Sequence, residues 1–274
     1  MVAERLREVA TLLAEQAASP FRVRAFRRAA DTIDGLDRDV GEILEHDGLD
    51  GLDALPAIGR GIAAAIEELV RTGHWSQLER LRGSADPEPL FRTIPGVGPV
   101  LARRIHDALH VDSLQALEVA AHDGRLAALP GVGARRGAMI ATGLAARLGR
   151  PRGVPVHPPV EPPLEALLDV DREYREKADR LPRIAPRRFN PAGERWLPVL
   201  HTERGRWHFT ALYSNTALAH RLGRTHDWVV VYFHADHEPE GQRTVVTETA
   251  GPLVGQRVVR GREAEMQSRR AAAS

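Results

Sequence analysis

Cysteine is absent from the 274-residue sequence. Without thiols the chain cannot form a disulfide framework or a thiolate metal site. Lysine is almost absent as well, because 37 of the 38 basic residues are arginine and only Lys177 is a lysine. Amine chemistry such as Schiff-base formation is therefore restricted to Lys177 or the amino terminus.

Long hydrophobic runs are also missing. The sequence has no apolar stretch that could span a bilayer, and its first residues lack the basic start and apolar core of a secretory signal. A hydrophobic fraction of 43% and a charged fraction of 27% are typical of globular proteins. We therefore expect a cytoplasmic protein without a membrane partner.

The net charge of +1 conceals an uneven distribution along the chain. Residues 1–90 carry 11 positive and 17 negative side chains, residues 91–150 carry 8 and 4, and residues 151–274 carry 19 and 16. Because polyanion binding depends on local charge, we expect phosphates to bind to the segment 91–150.

The first half of the sequence has the pattern of short helices with no strand signal. Leu6, Val9 and Leu13 indicate a first helix, and Val23 to Ile33 a second, with Pro20 between them. The Pro-rich stretch 151–163 then interrupts the helical periodicity and predicts a linker.

The second half mixes helix and strand patterns, so the predicted fold class is α+β, an all-α N-terminal region followed by a small α+β domain. Alternation predicts a strand over Trp207–Tyr213, with Trp207, Phe209, Ala211 and Tyr213 on one face. Further elements are a helix over Leu164–Leu181, a helix over Asn215–Leu222 with an Asn cap, strands at Trp228–Phe233, Thr244–Thr247 and Gln256–Val259, and a frayed end at Gln267–Ser274. The predicted domains are 1–82, 83–150, the linker 151–163 and 164–266.

One pattern occurs three times in the first half. The copies are LPAIGRGIAAAI from Leu55, IPGVGPVLARRI from Ile94 and LPGVGARRGAMI from Leu129. Glycine allows a tight turn with uncovered amides, and the helix that follows points its free N–H groups and partial positive charge at the same place. The pattern therefore predicts three bends that accept a phosphate oxygen, with Ile58, Val97 and Val132 pointing inward.

The pattern is that of the helix-hairpin-helix motif, and residues 1 to about 150 resemble the N-terminal lyase and fingers region of bacterial family X DNA polymerases. The segments that carry the resemblance are SPFRVRAFRRAADTI near residue 20, LPAIGRGIAAAIEELVRTG near residue 55 and IPGVGPVLARRI near residue 94. The resemblance implies hairpins that bind duplex DNA from the minor-groove side with weak sequence preference. It also implies a monovalent cation between hairpin carbonyls and phosphate; no other cofactor is expected.

The resemblance assigns candidate DNA contacts by position. They are Gly96, Val97, Gly98, Arg103, Arg104, Gly131, Val132, Gly133, Arg135 and Arg136 in the second and third hairpins, Gly59 and Arg60 in the first, and Arg24, Arg27 and Arg28 beside Arg22 on a helix that in the family faces a DNA 5′-phosphate. The first hairpin is the poorer candidate, since Ala57 replaces its first glycine and its surroundings are acidic, a charge that Arg60 partly offsets.

The family's catalytic residues do not carry over. The lyase lysine falls at Ala65 and a neighbouring basic position falls at Gly61, so no lyase activity is expected by that route. The strand aspartates and Gly-Ser signature of the polymerase are absent after residue 150. Asp169 and Asp171 form an Asp-x-Asp, but their spacing is that of a charged helix.

The C-terminal half allows two further interpretations. His234, Asp236 and His237 could bind a metal, although polar residues at a hairpin tip also satisfy the needs of a turn, and histidines on alternating strands usually face water. The aromatic strands could instead form a second nucleic-acid surface together with arginines such as Arg204, Arg206, Arg221, Arg224, Arg243, Arg257, Arg260 and Arg262.

Three hypotheses follow. The first is a non-catalytic, sequence-independent DNA-binding protein, a repair accessory factor that recognises gapped, nicked or branched duplex. The second is a DNA-processing enzyme, such as a metal-dependent nuclease, with its site in the C-terminal domain. The third is a protein-interaction scaffold in which the hairpins only connect helices.

Overall fold

The computed structural model describes residues 1–149, 160–235 and 240–273. A first hydrophobic core is enclosed by six helices. They are α1 (Val2–Glu15), α2 (Pro20–Asp34), α3 (Val40–His46), α4 (Gly48–Asp53), α5 (Arg60–Thr72) and α6 (Ser76–Arg82). The two helices predicted on either side of Pro20 are confirmed. Pro20 itself is the first residue of α2, a position where its missing N–H costs nothing.

A second core is formed by four helices around Phe91, Ile105 and Ile140. These helices are α7 (Pro87–Phe91), α8 (Pro99–Leu109), α9 (Leu114–His122) and α10 (Gly133–Arg147). The second and third copies of the sequence pattern contain the beginnings of α8 and α10.

The C-terminal part is an antiparallel six-stranded sheet in the order β1 to β6, with helices around it. Its elements are α11 (Leu164–Lys177), β1 (Arg183–Ile184), β2 (Leu197–Arg204), β3 (Trp207–Tyr213), α12 (Ala217–Arg221), β4 (Val229–Ala235), β5 (Gly241–Thr247), a 3-10 turn (Gly251–Leu253), β6 (Arg257–Val259) and α13 (Glu263–Ala273). The α+β class is thus confirmed.

Several C-terminal details differ from the sequence-based predictions. The predicted helix from Leu164 ends at Lys177. The cap of α12 is Thr216, whose hydroxyl accepts a hydrogen bond from the Ala219 amide, and not Asn215. Residues 267–273 of the end predicted as frayed belong to α13, which is held against α11 by an ion pair between Arg269 and Glu165, and Ser274 lies outside the described residues.

Tyr174 attaches α11 to one face of the sheet. Its side chain is fully buried, and its hydroxyl donates to the Pro198 carbonyl (3.0 Å) and accepts from the Tyr213 amide (2.8 Å). The two tyrosine rings pack edge to face at 4.7 Å. Phe209 and Ala211, which alternate with polar residues on β3, are buried as well. The face predicted for this strand is therefore the one that packs on α11.

The opposite face of the sheet packs on the helical half of the chain through one row of side chains. His201, Thr210, Tyr232 and Gln242 lie side by side on β2, β3, β4 and β5. Their hydrogen-bond partners are, in the same order, Gln16, Arg22, Asp112 and the carbonyl of His110. The expectation that histidines on these strands face water is wrong for His201, because helices cover both faces of the sheet.

The predicted domain boundaries stay predictions. Most of the predicted linker 151–163 lies outside the described residues, because these omit residues 150–159. Within the three described ranges, no helix is both long enough and apolar enough to cross a membrane.

Candidate nucleic-acid interface

The three sequence copies fold into the same bend. In each, the amide of the inward-pointing apolar residue donates to the carbonyl three residues earlier, with N–O distances of 3.2 Å at Ile58, 3.0 Å at Val97 and 3.1 Å at Val132. All three apolar side chains are buried. The residue before each has a positive φ, which is +85° at Gly96, +78° at Gly131 and +60° at Ala57. Ala57 thus adopts a left-handed conformation that glycine would adopt without strain.

The second hairpin presents its main chain to solvent. Gly96 and Gly98 are exposed, and within the described residues neither of their amides has a hydrogen-bond acceptor. Gly98 is the N-cap of α8, so the first free N–H groups of that helix lie beside it. The space above Gly98 is open, because a Cβ placed there would meet nothing within 4 Å. The partial positive charge of the helix N-terminus and the open amides suit a phosphate oxygen.

The third hairpin departs from the second at its end. Helix α10 begins at Gly133, one position earlier than the repeat predicts, and Gly133 has a φ of +64°. Gly131, Gly133 and Arg135 are exposed. Within the described residues Arg135 has no carboxylate partner, so its charge is available to a ligand.

Two of the predicted contact arginines bind the hairpins themselves. The guanidinium of Arg136 donates to the carbonyls of Gly131 (3.3 Å) and Gly96 (2.9 Å), and that of Arg104 donates to the carbonyl of Pro130. These bonds join the second hairpin to the third. Three of the carbonyls at the bends are therefore already occupied, and the monovalent cation stays a prediction.

Arg103 is different, since its side chain is largely exposed and its closest acid is Glu88, at 3.7 Å. In the first hairpin Arg60 lies 2.5 Å from Asp50 and 3.9 Å from Asp53. These ion pairs partly offset the acidic surroundings, as expected, and leave less of the charge of Arg60 for a ligand. Gly59 is the N-cap of α5 and is only partly exposed.

A cavity of about 790 Å³ lies between α2, α5 and the sheet. Arg22, Arg24 and Arg28 line it, together with Ala65, the position of the family's lyase lysine. Arg24, Arg27 and Arg28 are exposed, but Arg27 does not line the cavity. Apolar side chains such as Phe21, Ile58 and Trp75 complete much of the wall.

Arg22 is a buried cation to which no carboxylate of the described residues is bound. Its side chain is 7% exposed, its Nη1 donates to the hydroxyl of Thr210 (3.3 Å), and its Nε is buried with no acceptor among the described residues. Burial lowers the pKa of Arg22 to about 10, and the more distant Glu240 only partly offsets this effect. The arginine therefore remains charged at neutral pH and could bind an anion that enters the cavity.

The sheet supplies the opposite wall of the cavity, which sequence reasoning missed. His208 and His234 lie side by side on β3 and β4, with ring centroids 5.0 Å apart and planes 23° from parallel. Burial, followed by the charge of Arg22, holds the pKa of His234 well below its usual value. Of the residues predicted as a metal site, Asp236 and His237 lie outside the described residues. Within those that are described, no group of three or more His, Asp or Glu side chains is arranged to hold a metal.

Comparison with known proteins agrees with this geometry in the N-terminal half. Residues 1–75 match the family model of a helix-hairpin-helix domain, and residues 88–145 match that of a SAM-like helix-hairpin-helix tandem. The chain is 30% identical over 131 residues to the DNA polymerase/3′-5′ exonuclease PolX of Bacillus subtilis. The matched region covers 47% of this chain and 22% of that protein, so the chain spans about a fifth of the length of this relative.

The N-terminal half is therefore a helix-hairpin-helix region similar to part of a family X DNA polymerase. The two family-model matches end at residue 145, before the first strand of the sheet.

Proposed function

We propose that this chain binds duplex DNA without sequence preference, through the second and third hairpins, and serves as an accessory protein in DNA repair. The observation that carries the proposal is the pair of exposed amides at Gly96 and Gly98, which lie beside the N-terminus of α8 and have no acceptor among the described residues. Main-chain amides bind phosphate oxygens and contact no base edges, so sequence would matter little.

The charge around the hairpins supports this proposal. Of the four acids in residues 91–150, Asp107, Asp112 and Glu118 are buried, and Asp123 pairs with Arg125 at 2.7 Å. The surface of this segment is consequently more basic than its sequence count indicates. A phosphate backbone that approaches the bends meets the exposed Arg135 and little negative charge.

The similarity to a protein named as a DNA polymerase is a further argument for DNA as the ligand. The segments that match the two family models contain the hairpins, whereas the lysine required for the family's lyase chemistry is replaced by Ala65. We therefore assign a binding role to the hairpins and no chemistry.

Gly98→Val gives the sharpest test of hairpin binding. Its φ of −86° suits any residue and the space around it is open, so a valine should not disturb the fold but should cover the amides. Hydrogen bonds to a charged group contribute about 1.5–3 kcal/mol, so we expect the Kd for duplex to rise about tenfold or more. Fluorescence anisotropy with unrelated duplex sequences, at two salt concentrations, measures both the loss and the expected salt dependence.

Charge reversal provides the second measurement and its control. Arg135→Glu should weaken duplex binding strongly, whereas Arg172→Glu, on α11 behind the sheet, should leave it unchanged. Undiminished binding in both Gly98→Val and Arg135→Glu would show that the hairpins are not the contact and would favour the scaffold hypothesis.

The cavity supports the finer proposal that nicked, gapped or branched duplex is preferred. Arg22 would bind the 5′-phosphate at a strand interruption, with Arg24 and Arg28 at the entrance. We expect a 5′-phosphorylated gap to bind about tenfold more tightly than the same gap with a 5′-hydroxyl.

Arg22→Met should abolish this preference, because it removes the buried cation. Arg27→Met is the matched control, since Arg27 lies on the same helix but outside the cavity. A phosphate preference that survives Arg22→Met, or that disappears equally in Arg27→Met, contradicts this assignment without affecting the hairpin proposal.

A further inference from the structure

Five rings form a continuous cluster on the sheet domain. Phe189 packs on His220 with centroids 4.5 Å apart, and Trp196 lies 6.1 Å from His220 and 6.4 Å from His226. Tyr213 completes the series, 5.3 Å from His226. We call these residues the ring cluster.

Most rings of the ring cluster are not buried in a hydrophobic core. Phe189 is 45% exposed, His226 is exposed, and Trp196 and His220 are partly exposed, so that only Tyr213 is buried. Phe189 also has a φ of +54°, a left-handed conformation that is costly for a bulky residue. The backbone is thus held in an unfavourable conformation at a residue whose aromatic ring faces solvent.

The charges beside the ring cluster are mostly positive. Arg187, Arg195 and Arg221 are exposed, each within two residues of one of the rings, and none has an ion-pair partner within the described residues. Glu194 is the one exposed acid in the loop between Phe189 and Trp196. A surface of rings and unpaired arginines is complementary to a chain of bases and phosphates.

Contacts connect the ring cluster to the second hairpin. Arg188, whose guanidinium lies 5.3 Å from the centre of the Phe189 ring, pairs with Glu88 at 2.5 Å. Glu88 is also the closest acid to Arg103, which lies on α8 about 6 Å beyond the start of that helix. Only a few nucleotides would separate the hairpin from the rings.

We propose that the ring cluster binds unpaired bases of a DNA strand that leaves the duplex held at the second hairpin. This inference rests on the proposed function and extends it to a substrate with a single-stranded extension. Every base has a face that can stack on an aromatic ring, so the contact needs no particular sequence. Burial, followed by the charge of Arg188, lowers the pKa of His220, so that His220 is present as a neutral ring at neutral pH.

The test compares three probes with the full chain by fluorescence anisotropy: a blunt duplex, the same duplex with a single-stranded thymidine extension, and oligothymidine alone. We expect the extension to tighten binding about tenfold. Phe189→Ala should abolish this gain and leave blunt-duplex binding unchanged, and Phe189→Tyr should retain it. Alanine is tolerated at a positive φ in this protein, as Ala17 and Ala57 show.

Leu222→Ala is the matched control, because Leu222 is a similarly exposed apolar residue, 53% exposed, that contributes no ring. Three outcomes would overturn the inference: the extension gives no gain in affinity, the gain persists in Phe189→Ala, or Leu222→Ala loses the gain equally. Binding of the blunt duplex would still support the proposed function in each of these cases. Conversely, oligothymidine binding that requires Phe189, without any binding of blunt duplex, supports the ring cluster and refutes the proposed function.

Discussion

Arg80 lies where the three hydrophobic cores meet, and its removal should destabilise the whole molecule. The side chain, on α6, is 5% exposed. Its Nη1 lies 2.6 Å from the carboxylate of Asp112, between α8 and α9, and its Nη2 pairs with Glu240, next to β5. Its guanidinium carbon also lies 3.5 Å from the centre of the Tyr232 ring, and the Tyr232 hydroxyl donates to Asp112 at 3.0 Å.

The expected loss of stability in Arg80→Met follows from the buried carboxylate of Asp112, which the substitution leaves without its ion-pair partner. Burial opposes the charge of Arg80, but Glu240 and Asp112 outweigh this effect and raise the pKa of the guanidinium. In Arg80→Met the carboxylate of the buried Asp112 would keep, among the described residues, only the Tyr232 hydroxyl as a hydrogen-bond partner. Loss of one member of a buried ion pair costs about 3–5 kcal/mol, which is a large part of the free energy of unfolding of a typical domain.

Urea unfolding, followed by circular dichroism and by tryptophan fluorescence, measures this effect. The double variant Arg80→Met with Asp112→Asn should be more stable than Arg80→Met alone, because the unpaired charge is removed and the amide can still accept from Tyr232. Arg82→Met is the control on the same helix, since its pair with Glu8 is partly exposed and should contribute at most about 1 kcal/mol.

A loss below about 1 kcal/mol in Arg80→Met, or a double variant no more stable than the single one, would refute the ion-pair reasoning. We also expect the two spectroscopic transitions of Arg80→Met to separate, because the residue joins all three cores.

Four further predictions concern the bends and the buried titrating groups. Arg136→Met should raise the Kd for duplex several-fold in anisotropy measurements, since it releases the bonds between the two hairpins; an unchanged Kd would show that these bonds do not position them. Ala57→Gly should stabilise the protein by about 0.5–1 kcal/mol in thermal unfolding, because it relieves a positive φ, and a lower Tm would contradict this. Burial lowers the pKa of His110 to about 3, so below pH 6.5 the unfolded state binds a proton that the folded state excludes, and the free energy of unfolding should fall as pH decreases. In His110→Asn, which suits the φ of +55°, urea titrations should show a weaker dependence of stability on pH. Burial raises the pKa of Glu68 to about 7, so its contribution to stability has the opposite sign and is lost as pH rises from 4.5 to about 7. Glu68→Gln should therefore be more stable than the parent protein at pH 8 in urea titrations. Equal or lower stability of this variant would show that the carboxyl group is not buried.

The parts of the fold that depend on local sequence could be predicted. The conformation of each bend depends on a few consecutive residues, so all three hairpins were predicted, together with the inward orientation of Val97. The strand Trp207–Tyr213 has clear alternation and was placed with its observed bounds. Strand β2 was missed because its first four residues, LPVL, are all buried and the alternation signal is lost.

Contacts between distant segments could not be predicted. Arg22 and Thr210 are 188 residues apart, and neither residue type indicates the other as its partner. For the same reason the cavity behind α2 could not be predicted from the sequence, although the arginines at its entrance were. The sequence also could not reveal that Arg104 and Arg136 bind carbonyls, because a basic residue after a hairpin suits either role.

The row of side chains across the sheet determines how this molecule can respond to a ligand. His201, Thr210, Tyr232 and Gln242 come from four successive strands and reach four separate places in the helical half, so any rotation of the sheet would shear all of these bonds together. We therefore expect little movement of the sheet relative to the helical half when a ligand binds. Under the proposed function, bent or interrupted DNA strands would then have to adopt their bound shape before they dock.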